Sequence, residues 1–539
     1  MQVKSFKWAG AMLLALVLIA AGATSAATGS AKRAQVLRIA IGAEPPSLDP
    51  GLATDTTSAN VLLNVMDPLV RLGPAPALKP RPAAASSWNV RGATVTLHLN
   101  KRERWTNGKP VTAADYVWAW LRTISPELGA DYAYQFYGIK GAEAYNSCDP
   151  SKTNCNALRS KVGFKAKGKY TLVIQLKSPQ SWFIQQLNHH SFLPVYRPAV
   201  TKFGNHWTDP SHIVTDGPFK LQSWNHDANL TLVKNKRFYN ARKVKLSKIV
   251  MSIISDGATA VNAFEAGNVD VNSTGWPPAD APRIKRQPTY HRWQALGTYY
   301  YGINVKNIPD VNQRRAMAYA IDRNSIINNI AQGGQAPARG LTPVGISGGP
   351  TILRKSKLPA NGNISQAKAF MAKVKNPNKN IHLYFNNSPA HVNIAVAVQS
   401  MWKPLGLDVT LSRLEWKQYL QFLGPPPNKD VDVYRLGWIA DFPDAYNFLA
   451  LFTCNSGNNS TNWCNKTFDN TVAKAGRTQS VQKRVALYQK AESIMTSPTG
   501  DMPIAPIYWY TFQAQVKTYV RGYTVNPMDE TFYDKVSLK

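Results

Sequence analysis

The sequence predicts an α/β protein, because strand-like and helix-like patterns alternate along it. Apolar and polar residues alternate over 94–99 and 170–176, as they do in half-buried strands. Thr112 and Asp115 have the spacing of a capping box in front of an apolar helical face, and small and apolar residues recur at helical spacing over 311–331. No repeat of fixed period occurs. A chain of 539 residues with this mixture indicates a large globular protein of more than one domain.

The amino end has the pattern of a secretory signal peptide. A short basic stretch precedes an apolar run over about 8–21, and small residues follow at 23–27, with cleavage expected after Ala26 or Ala27. We therefore expect 1–27 to be removed and the mature protein to be periplasmic or extracellular. The signal region has no cysteine for lipid attachment, and no later stretch approaches the roughly 20 apolar residues of a membrane-spanning helix. A soluble protein without a lipid anchor is expected.

The four cysteines fall into two close pairs, Cys148 with Cys155 and Cys454 with Cys464, both in polar stretches typical of turns. Two local disulfides are predicted, since an exported protein is oxidised, and each would contribute about 2 to 3 kcal/mol. Zinc is the alternative. The spacings are not C-x-x-C and no histidine lies nearby at ligand spacing, so no metal and no other cofactor is expected.

The chain is strongly basic, with 63 Lys and Arg against 31 Asp and Glu and a formal net charge of +32. An exported protein seldom meets nucleic acid, and the imbalance reflects scarce acids as much as basic clusters, so nucleic acid is not the expected partner. The densest basic run, 232–250, alternates lysine with apolar residues, as a strand with one solvated face does. We interpret the charge as solvated surface. Attraction to an anionic envelope and adaptation to an acidic medium are the alternatives.

The sequence contains no signature of a common enzyme class. We find no G-x-S-x-G, no H-E-x-x-H and no glycine-rich phosphate loop. The adjacent pair His189 and His190 has no acid within a helical turn, which favours packing or surface positions over a metal site. The 15 Trp and 23 Tyr exceed what a core usually requires and suit a partly wet binding cavity. A binding protein is favoured over an enzyme.

Seven segments, in this order and spacing, resemble the family 5 extracellular solute-binding proteins of ABC importers, most closely the oligopeptide-binding proteins. Each segment alone is weak, but together they extend over nearly the whole chain after the signal. The segments are EPPSLDP at 44–50, RWTNGKPVTAADYVWAW at 104–120, TDGPFKLQSW at 215–224, FEAGNVDV at 264–271, YYYGINV at 299–305, RRAMAYAIDR at 314–323 and MPIAPIYWY at 502–510.

The resemblance implies a periplasmic-binding-protein-like fold of type II. Two lobes would close about a hinge on the ligand, and a third domain would be inserted into the first lobe. Lobe I would combine 28–66, 196–296 and 512–539, the insert would be 67–195, and lobe II would be 297–511. The protein would be a monomer whose closed form is recognised by a membrane permease.

The segment 430–441 carries the main candidate site. It alternates with period two, so that Arg435, Gly437 and Asp441 share one face and Trp438 lies on the other. Gly437 would leave the backbone open for an extended peptide to pair with it as an added strand. By resemblance, Asp441 stands where the relatives' aspartate pairs with the peptide α-ammonium. A buried ammonium requires such a partner, since leaving it unpaired is costly.

Other positions match the relatives' ligand contacts. Arg435 and His391 correspond to groups at the carboxyl end of the peptide, and Tyr510 to a tyrosine at its amino end. Either Tyr132 or Tyr134 in the insert would close over the ligand, and the sequence leaves both open.

Lobe I would contribute a strand at 54–56, including Thr56, opposite Gly437, and Trp438 would form a wall of the site. The chain departs from relatives of enteric type after 415–420, where their further arginine is absent. Here 421–430 contains three consecutive prolines, which predict a stiff, altered loop, so the peptide length is left open.

The residues themselves leave other interpretations. Asp441 could cap the turn before Pro443 or pair with Arg435, and Asp444 is predicted to cap a loop. The same fold could carry nickel complexes or oligosaccharides, and an extracellular hydrolase could use Asp441 and Asp444 as a carboxylate pair. An acid at the position of Asp441 favours short peptides delivered to an ABC permease, without enzymatic activity.

Overall fold

The computed structural model describes residues 34–74, 78–424 and 427–539. The expected signal peptide, 1–27, lies outside the described residues, as do two of the three consecutive prolines of the 421–430 loop. Contacts join Gln35–Lys539 into one unit. Among the described helices, none is both long and apolar enough to cross a membrane.

Strands and helices alternate along the whole described chain, as the sequence predicts. The strands are β1 (Val36–Ile41), β2 (Val70–Leu72), β3 (Pro80–Pro82), β4 (Ala85–Arg91), β5 (Thr94–Leu99), β6 (Phe164–Ala166), β7 (Thr171–Gln175), β8 (Phe219–Asn225), β9 (Asn229–Lys234), β10 (Lys248–Ile253), β11 (Val271–Asn272), β12 (Tyr290–Ile303), β13 (Ala336–Pro337), β14 (Asn380–Asn386), β15 (Asp408–Leu414), β16 (Val433–Ile439), β17 (Ile504–Val516), β18 (Val520–Arg521) and β19 (Ser537–Leu538).

The helices are α1 (Thr56–Val65), α2 (Ala113–Thr123), α3 (Ala142–Asn146), α4 (Cys155–Arg159), α5 (Phe183–Gln186), α6 (Arg197–Phe203), α7 (Gly257–Glu265), α8 (Ala281–Ile284), α9 (Val311–Ala320), α10 (Arg323–Ile326), α11 (Gly349–Ile352), α12 (Ile364–Met371), α13 (Pro389–Trp402), α14 (Trp416–Leu423), α15 (Ala445–Leu449), α16 (Lys466–Gly476) and α17 (Val481–Thr496). Strands 94–99 and 171–175 and the helix after Thr112 confirm the sequence patterns. The Asp115 carboxylate accepts from the Thr112 amide at 2.8 Å, as in the predicted capping box.

The largest sheet has 11 strands and is mixed, in the order β15-β14-β16-β12-β17-β11-β1-β10-β9-β8, with β13 beside β17. Strands β1 and β14 pair in parallel with both of their neighbours, and the other pairs are antiparallel. The long central strands β12 and β17 join the two halves of the sheet. Their pairing shifts register between Gln294 and Thr298. The domain boundaries expected at 296/297 and 511/512 fall inside these two strands.

Hydrophobic cores follow this division of the sheet. One core is built from residues between 37 and 271 together with 514–538. Two further cores lie on the two faces of β12: Tyr299 and Tyr301 belong to one, and Tyr300 to the other. All three tyrosines are fully buried, so this aromatic cluster is core and not part of a wet cavity.

A separate four-stranded antiparallel sheet, in the order β4-β5-β7-β6, lies within the expected insert, 67–195. The disulfide Cys148–Cys155 closes a loop near it, and Cys454–Cys464 closes a loop after α15. Both predicted disulfides are therefore present, and each ties down a loop rather than joining distant elements.

Three sequence expectations about elements are wrong, two of them outside the candidate site. The helix expected over 311–331 stops at Ala320, and after a break it continues as α10 and a π-helical turn. The reason lies in Arg323, which is fully buried and donates to the backbone carbonyls of Ala318 and Pro506. This tertiary demand overrides the local helical pattern.

The basic run 232–250 is also not one strand. It contains the end of β9 and the start of β10, which pair antiparallel with each other, and the connection between them. The lysines thus lie on two strand ends and a connection, and the alternation that suggested a single strand was coincidental.

Candidate functional site

Two neighbouring cavities are lined by residues from both halves of the large sheet. We call them the cleft cavity, of about 420 Å³, and the adjoining cavity, of about 560 Å³. Four residues, Thr56, Thr57, Phe512 and Asp529, line both. Each volume is in the range of small-molecule and peptide sites. The predicted ligand contacts that line the cleft cavity are Thr56, Tyr132, Arg435, Gly437, Trp438, Asp441 and Tyr510.

The Asp441 carboxylate lies just beyond β16 and is held by four side chains. Its Oδ2 accepts from Asn447 Nδ2 at 2.7 Å and from Gln135 Nε2 at 2.5 Å. Its Oδ1 lies 3.2 Å from His189 Nε2 and 3.4 Å from the Tyr132 hydroxyl. Among the described residues, no lysine or arginine pairs with it. The carboxylate is fixed in direction, and its negative charge has no permanent cation beside it.

Asn447 holds both Asp441 and the neighbouring tryptophan. Its Oδ1 accepts from the Asp441 amide at 3.0 Å and from Trp438 Nε1 at 2.9 Å. The Trp438 ring packs 6.0 Å from the Tyr132 ring, between centroids. The wall and the anion of the cleft cavity are thereby oriented by one amide, which lies on α15.

Asp444 does not line either cavity. It caps α15 by accepting from the Tyr446 amide at 2.9 Å, and it also accepts from the Tyr488 hydroxyl at 2.7 Å. The predicted loop cap is confirmed. The pairing of Asp441 with Arg435 as a structural bridge is wrong, because each side chain has other partners.

Arg435 is a buried cation, and no acidic residue in the described part of the chain pairs with it. The side chain is 8% exposed, and Nη1 donates to Asn386 Oδ1 at 3.1 Å while Nη2 donates to the Tyr510 hydroxyl at 2.8 Å. The guanidinium lies 4.5 Å above the Tyr299 ring, and its Nε has no hydrogen-bond partner in the described structure. Because a buried charge is costly when unpaired, this geometry favours an anionic group in the cavity.

The edge of β16 that faces the cleft is open. Strand β12 pairs with all of Val433–Ile439 on one side, whereas β14 on the other side reaches only Val433 and Tyr434. The Arg435 carbonyl points to this side and accepts from the Tyr419 hydroxyl. Backbone groups of alternate residues share one edge, so the amide and carbonyl of Gly437 point there too. A ligand in an extended conformation can therefore pair with the open backbone groups of β16.

Gly437 has a second role that the sequence did not suggest. A Cβ at this position would lie 2.1 Å from the Tyr510 hydroxyl. The glycine therefore lets the Tyr510 ring pass over the strand and reach Arg435. Tyr510 and Arg435, both predicted as ligand contacts, form one unit in the cleft wall.

His391 stands behind this unit. It is the third residue of α13, and its Nδ1 lies 3.4 Å from the Tyr299 hydroxyl. Burial and then the positive charge of Arg435 hold the pKa of His391 well below its usual range. The imidazole is neutral at pH 7, and it is not among the residues that line the two cavities.

The structure separates the two candidate tyrosines of the insert. Tyr132 lines the cleft cavity and faces Asp441. Tyr134 lines a different cavity of about 400 Å³, and its buried hydroxyl has no hydrogen-bond partner among the described residues.

The expected strand at 54–56 is not formed. Thr56 is the first residue of α1, and Asp55 caps this helix by accepting from the Ser58 amide at 3.0 Å. A side-chain cap competes with strand pairing and starts a helix instead. Thr56 still lines both cavities, but from a helix end.

Sequence reasoning missed several groups around the site. The sequence pattern favours packing or a surface position for His189, and nothing in it indicates Gln135 or Asn447 as partners of Asp441. Asp529 and Glu530, which also line the cleft cavity, lie near the carboxyl end in a segment without periodicity. Within the described residues, no group of three or more His, Cys, Asp or Glu is placed to hold a metal ion.

Comparison with known proteins places this site in a family. Residues 79–460 match the family model of bacterial extracellular solute-binding proteins, family 5. The oligopeptide-binding protein OppA of Bacillus subtilis is 33% identical over 524 residues, which cover 93% of each chain. Periplasmic oligopeptide-binding protein OppA of Escherichia coli is 31% identical over 506 residues, covering 91% of this chain and 90% of that protein.

Solved structures of similar proteins share this fold. OppA of Haemophilus influenzae in complex with the peptide RPPGFSPFR superposes with a TM-score of 0.85 at 29% identity, covering 94% of this chain and 99% of that one. The murein tripeptide binding protein MppA of Escherichia coli superposes with 0.84 at 28% identity, covering 93% and 98%. The unliganded open form of MppA gives only 0.64, at the same identity and with 94% and 97% covered.

These likenesses confirm the predicted α/β fold of type II, with two lobes. They also confirm the prediction of a binding protein rather than an enzyme, since the family consists of solute-binding proteins. By its family model, its relatives and its fold, the chain belongs to the family 5 bacterial extracellular solute-binding proteins.

Proposed function

We propose that this protein captures short peptides and delivers them to the permease of an ABC importer. The observation that carries the proposal is the pair of opposite buried charges along one open strand edge. Asp441 lies beyond one end of that edge and Arg435 at the other, and within the described residues neither has a permanent partner of opposite charge. A zwitterionic chain with free backbone groups matches all three features.

In this proposal the peptide runs beside β16 in the cleft cavity. Its α-ammonium pairs with Asp441, between Tyr132 and Trp438. Its carboxylate pairs with the guanidinium of Arg435, which Asn386 and Tyr510 hold in place. Backbone pairing at Gly437 makes no demand on side-chain identity, so that affinity depends on the two ends and the main chain.

The lobe assignments belong to the same proposal. Lobe I would comprise 28–66, 196–296 and 512–539, with an insert at 67–195, and lobe II would be 297–511. The crossing strands β12 and β17 would form the hinge, where the register shift between Gln294 and Thr298 interrupts regular pairing. The better superposition on the first MppA structure than on its open form supports a closed conformation here.

Closure would place lobe II against the insert through two sets of contacts. One is the cage around Asp441, supplied by Gln135, His189 and Tyr132. The other is an aromatic stack in which Trp182 lies 5.1 Å from Tyr446, between ring centroids. A permease that recognises the closed form would bind surfaces of lobe II and of the insert at the same time.

The proposed export and location of the protein are based on its sequence. Residues 1–27 would be cleaved on export, and the mature monomer would work in the periplasm or on the extracellular side, without a lipid anchor. The relatives bear on the ligand class: proteins named for oligopeptides, dipeptides and a murein tripeptide are 25–33% identical to this chain.

Mass spectrometry of what co-purifies tests the ligand class. The mature chain is purified without added peptide and denatured, and the released small molecules are identified. Short peptides with free amino ends are expected. A bound oligosaccharide or nickel complex would replace the peptide proposal with one of the other ligand classes considered for this fold.

A further inference from the structure

Acidic side chains outnumber basic ones in the two cavities, whereas basic residues prevail in the protein as a whole. The chain carries a formal +32, yet five acids line the cavities against a single arginine or lysine among the described lining residues, Arg435. The acids are Asp55, Asp256, Asp441, Asp529 and Glu530. An excess of acidic side chains in a binding cleft favours a ligand that carries a positive charge.

The ends of a peptide account for only part of this charge. On the proposed function, on which this inference rests, the ammonium balances Asp441 and the carboxylate balances Arg435. Four acids remain, and three of them are engaged by the protein itself. Asp55 and Asp256 cap α1 and α7, and Glu530 accepts from Asn188 at 2.5 Å and Asn526 at 2.7 Å.

Asp529 is the acid that remains. Its carboxylate interacts with the Thr56 side chain, and none of the described lysines or arginines forms an ion pair with it. It lines both cavities and therefore stands at their junction, within reach of a ligand in either. Burial raises its pKa to about 6, so the group is ionised at pH 7 in surroundings that solvate it poorly.

The backbone at Asp529 is also unusual. Its φ of +61° lies in the left-handed region, where glycine is the relaxed choice. Here the strained position turns a carboxylate toward the junction of the two cavities.

We propose that Asp529 binds a cationic side chain of the peptide, lysine or arginine, and so makes the protein selective for basic peptides. The ends of the peptide would set its register, and Asp529 would read one side chain. Asp529 would then determine specificity, whereas Asp441 would be required for peptides of every sequence.

Calorimetry with single-lysine peptides tests the proposal. Alanine peptides of two to five residues are titrated into the ligand-stripped protein at pH 7.5, and the tightest becomes the host. Each alanine of the host is then replaced in turn by lysine and by norleucine, which has a similar chain without the charge. At one position, lysine should bind about ten- to a hundredfold more tightly than norleucine, the range of a charge-assisted hydrogen bond.

Asp529→Asn should reduce the preference for lysine over norleucine to less than about threefold. Asparagine tolerates the left-handed backbone, and Asp529→Gly, which relaxes it, should behave in the same way. Asp227→Asn is the matched control: Asp227 has the same backbone conformation, with φ +60°, is exposed on the β8–β9 turn, and should leave the preference intact.

Equal binding of lysine and norleucine at every position would overturn the proposal, as would a preference that survives in both Asp529 variants. If no alanine peptide binds the unaltered protein, the peptide function itself fails and the proposal fails with it. Asp441→Asn should lose binding of the alanine host, while the unaltered protein should show the lysine preference. Together these results separate the role of Asp441 as anchor from the role of Asp529 in specificity.

Discussion

Gln135 Nε2 donates to Asp441 Oδ2 at 2.5 Å across 306 residues of sequence. The proposed ligand anchor is therefore also a contact between the segment expected to be the insert and the segment expected to be lobe II. Gln135 is itself fixed, since Gln186 Nε2 donates to its side-chain oxygen at 2.7 Å. Closure of these two segments and the orientation of the Asp441 carboxylate therefore both depend on the side-chain amide of Gln135.

Gln135→Ala should weaken binding of the alanine host peptide about tenfold, by removing one of the donors that orient Asp441. Discrimination against an amino-acetylated peptide should persist, because Asp441 itself remains. Calorimetry with both peptides measures this. Gln489→Ala, which removes an exposed amide bonded to the Thr351 carbonyl, is the control and should change neither affinity. Full loss of discrimination would assign the ammonium contact to Gln135 instead.

Trp182→Ala should favour an open state. Trp182 is 2% exposed, stacks on Tyr446 and Phe442, and lies 5.6 Å from the Arg484 guanidinium. Removing it deletes a contact between the segment expected to be the insert and the residues of α15 and α17. Small-angle scattering should give a larger radius of gyration for the peptide-free variant, and saturating peptide should restore the compact value. Affinity should fall about three- to tenfold. An unchanged radius would show that this stack does not control closure.

Arg435→Gln should weaken peptide binding at least thirtyfold, roughly the cost of leaving a carboxylate unpaired in a buried site. His391→Asn should cost less than about threefold, because the imidazole is neutral and stands behind Tyr299. Titration of the host peptide and its carboxyl-amidated form distinguishes the two. The amidated peptide should bind both Arg435→Gln and the unaltered protein weakly. A larger loss in His391→Asn than in Arg435→Gln would transfer the carboxylate contact to the histidine.

Glu103→Gln tests a buried acid outside the site. Burial, and then Asp67 and Asp216, raise the pKa of Glu103 well above its usual value, and neither of its carboxylate oxygens has a hydrogen-bond partner in the described structure. The folded state thus holds this proton more tightly than the unfolded state does. Its stabilising contribution is present below the unfolded pKa and is lost as the pH rises toward the folded pKa.

The melting temperature of Glu103→Gln relative to the unaltered protein should therefore increase by about 1 to 3 °C from pH 4 to pH 8. Thermal unfolding followed by circular dichroism across this range measures the trend. A difference that stays constant with pH would mean that Glu103 titrates alike in both states.

Local patterns predicted those features that local physics decides. Period-two alternation identified β16, polar turn sequences identified both disulfides, and Thr112 with Asp115 identified the start of α2. The failures have two causes. Asp55 starts α1 through a local cap on the Ser58 amide, where the sequence pattern indicated a strand. Arg323 donates to the Pro506 carbonyl, 183 residues away, and no window of sequence contains that contact.

The site shows the same limit. The motif around Asp441 is continuous in sequence and was visible, whereas its cage is assembled from His189 and Gln135, far away in the chain. Asp529 could not be identified from the sequence, because its role depends on the cavities that the fold places beside it. Residue types alone also concealed the charge contrast, since the total composition is basic while the cleft is acidic.

The measurement that tests the central claim most directly is calorimetric titration of one short peptide, with a free and with an acetylated amino end, into the unaltered protein and Asp441→Asn. The unaltered protein should bind the free peptide at least a hundredfold more tightly than the acetylated one, and Asp441→Asn should bind both weakly while melting within a few degrees of the unaltered protein. Equal binding of the two peptides, or undiminished affinity in Asp441→Asn, would contradict the assignment of Asp441 as the anchor of the peptide amino end.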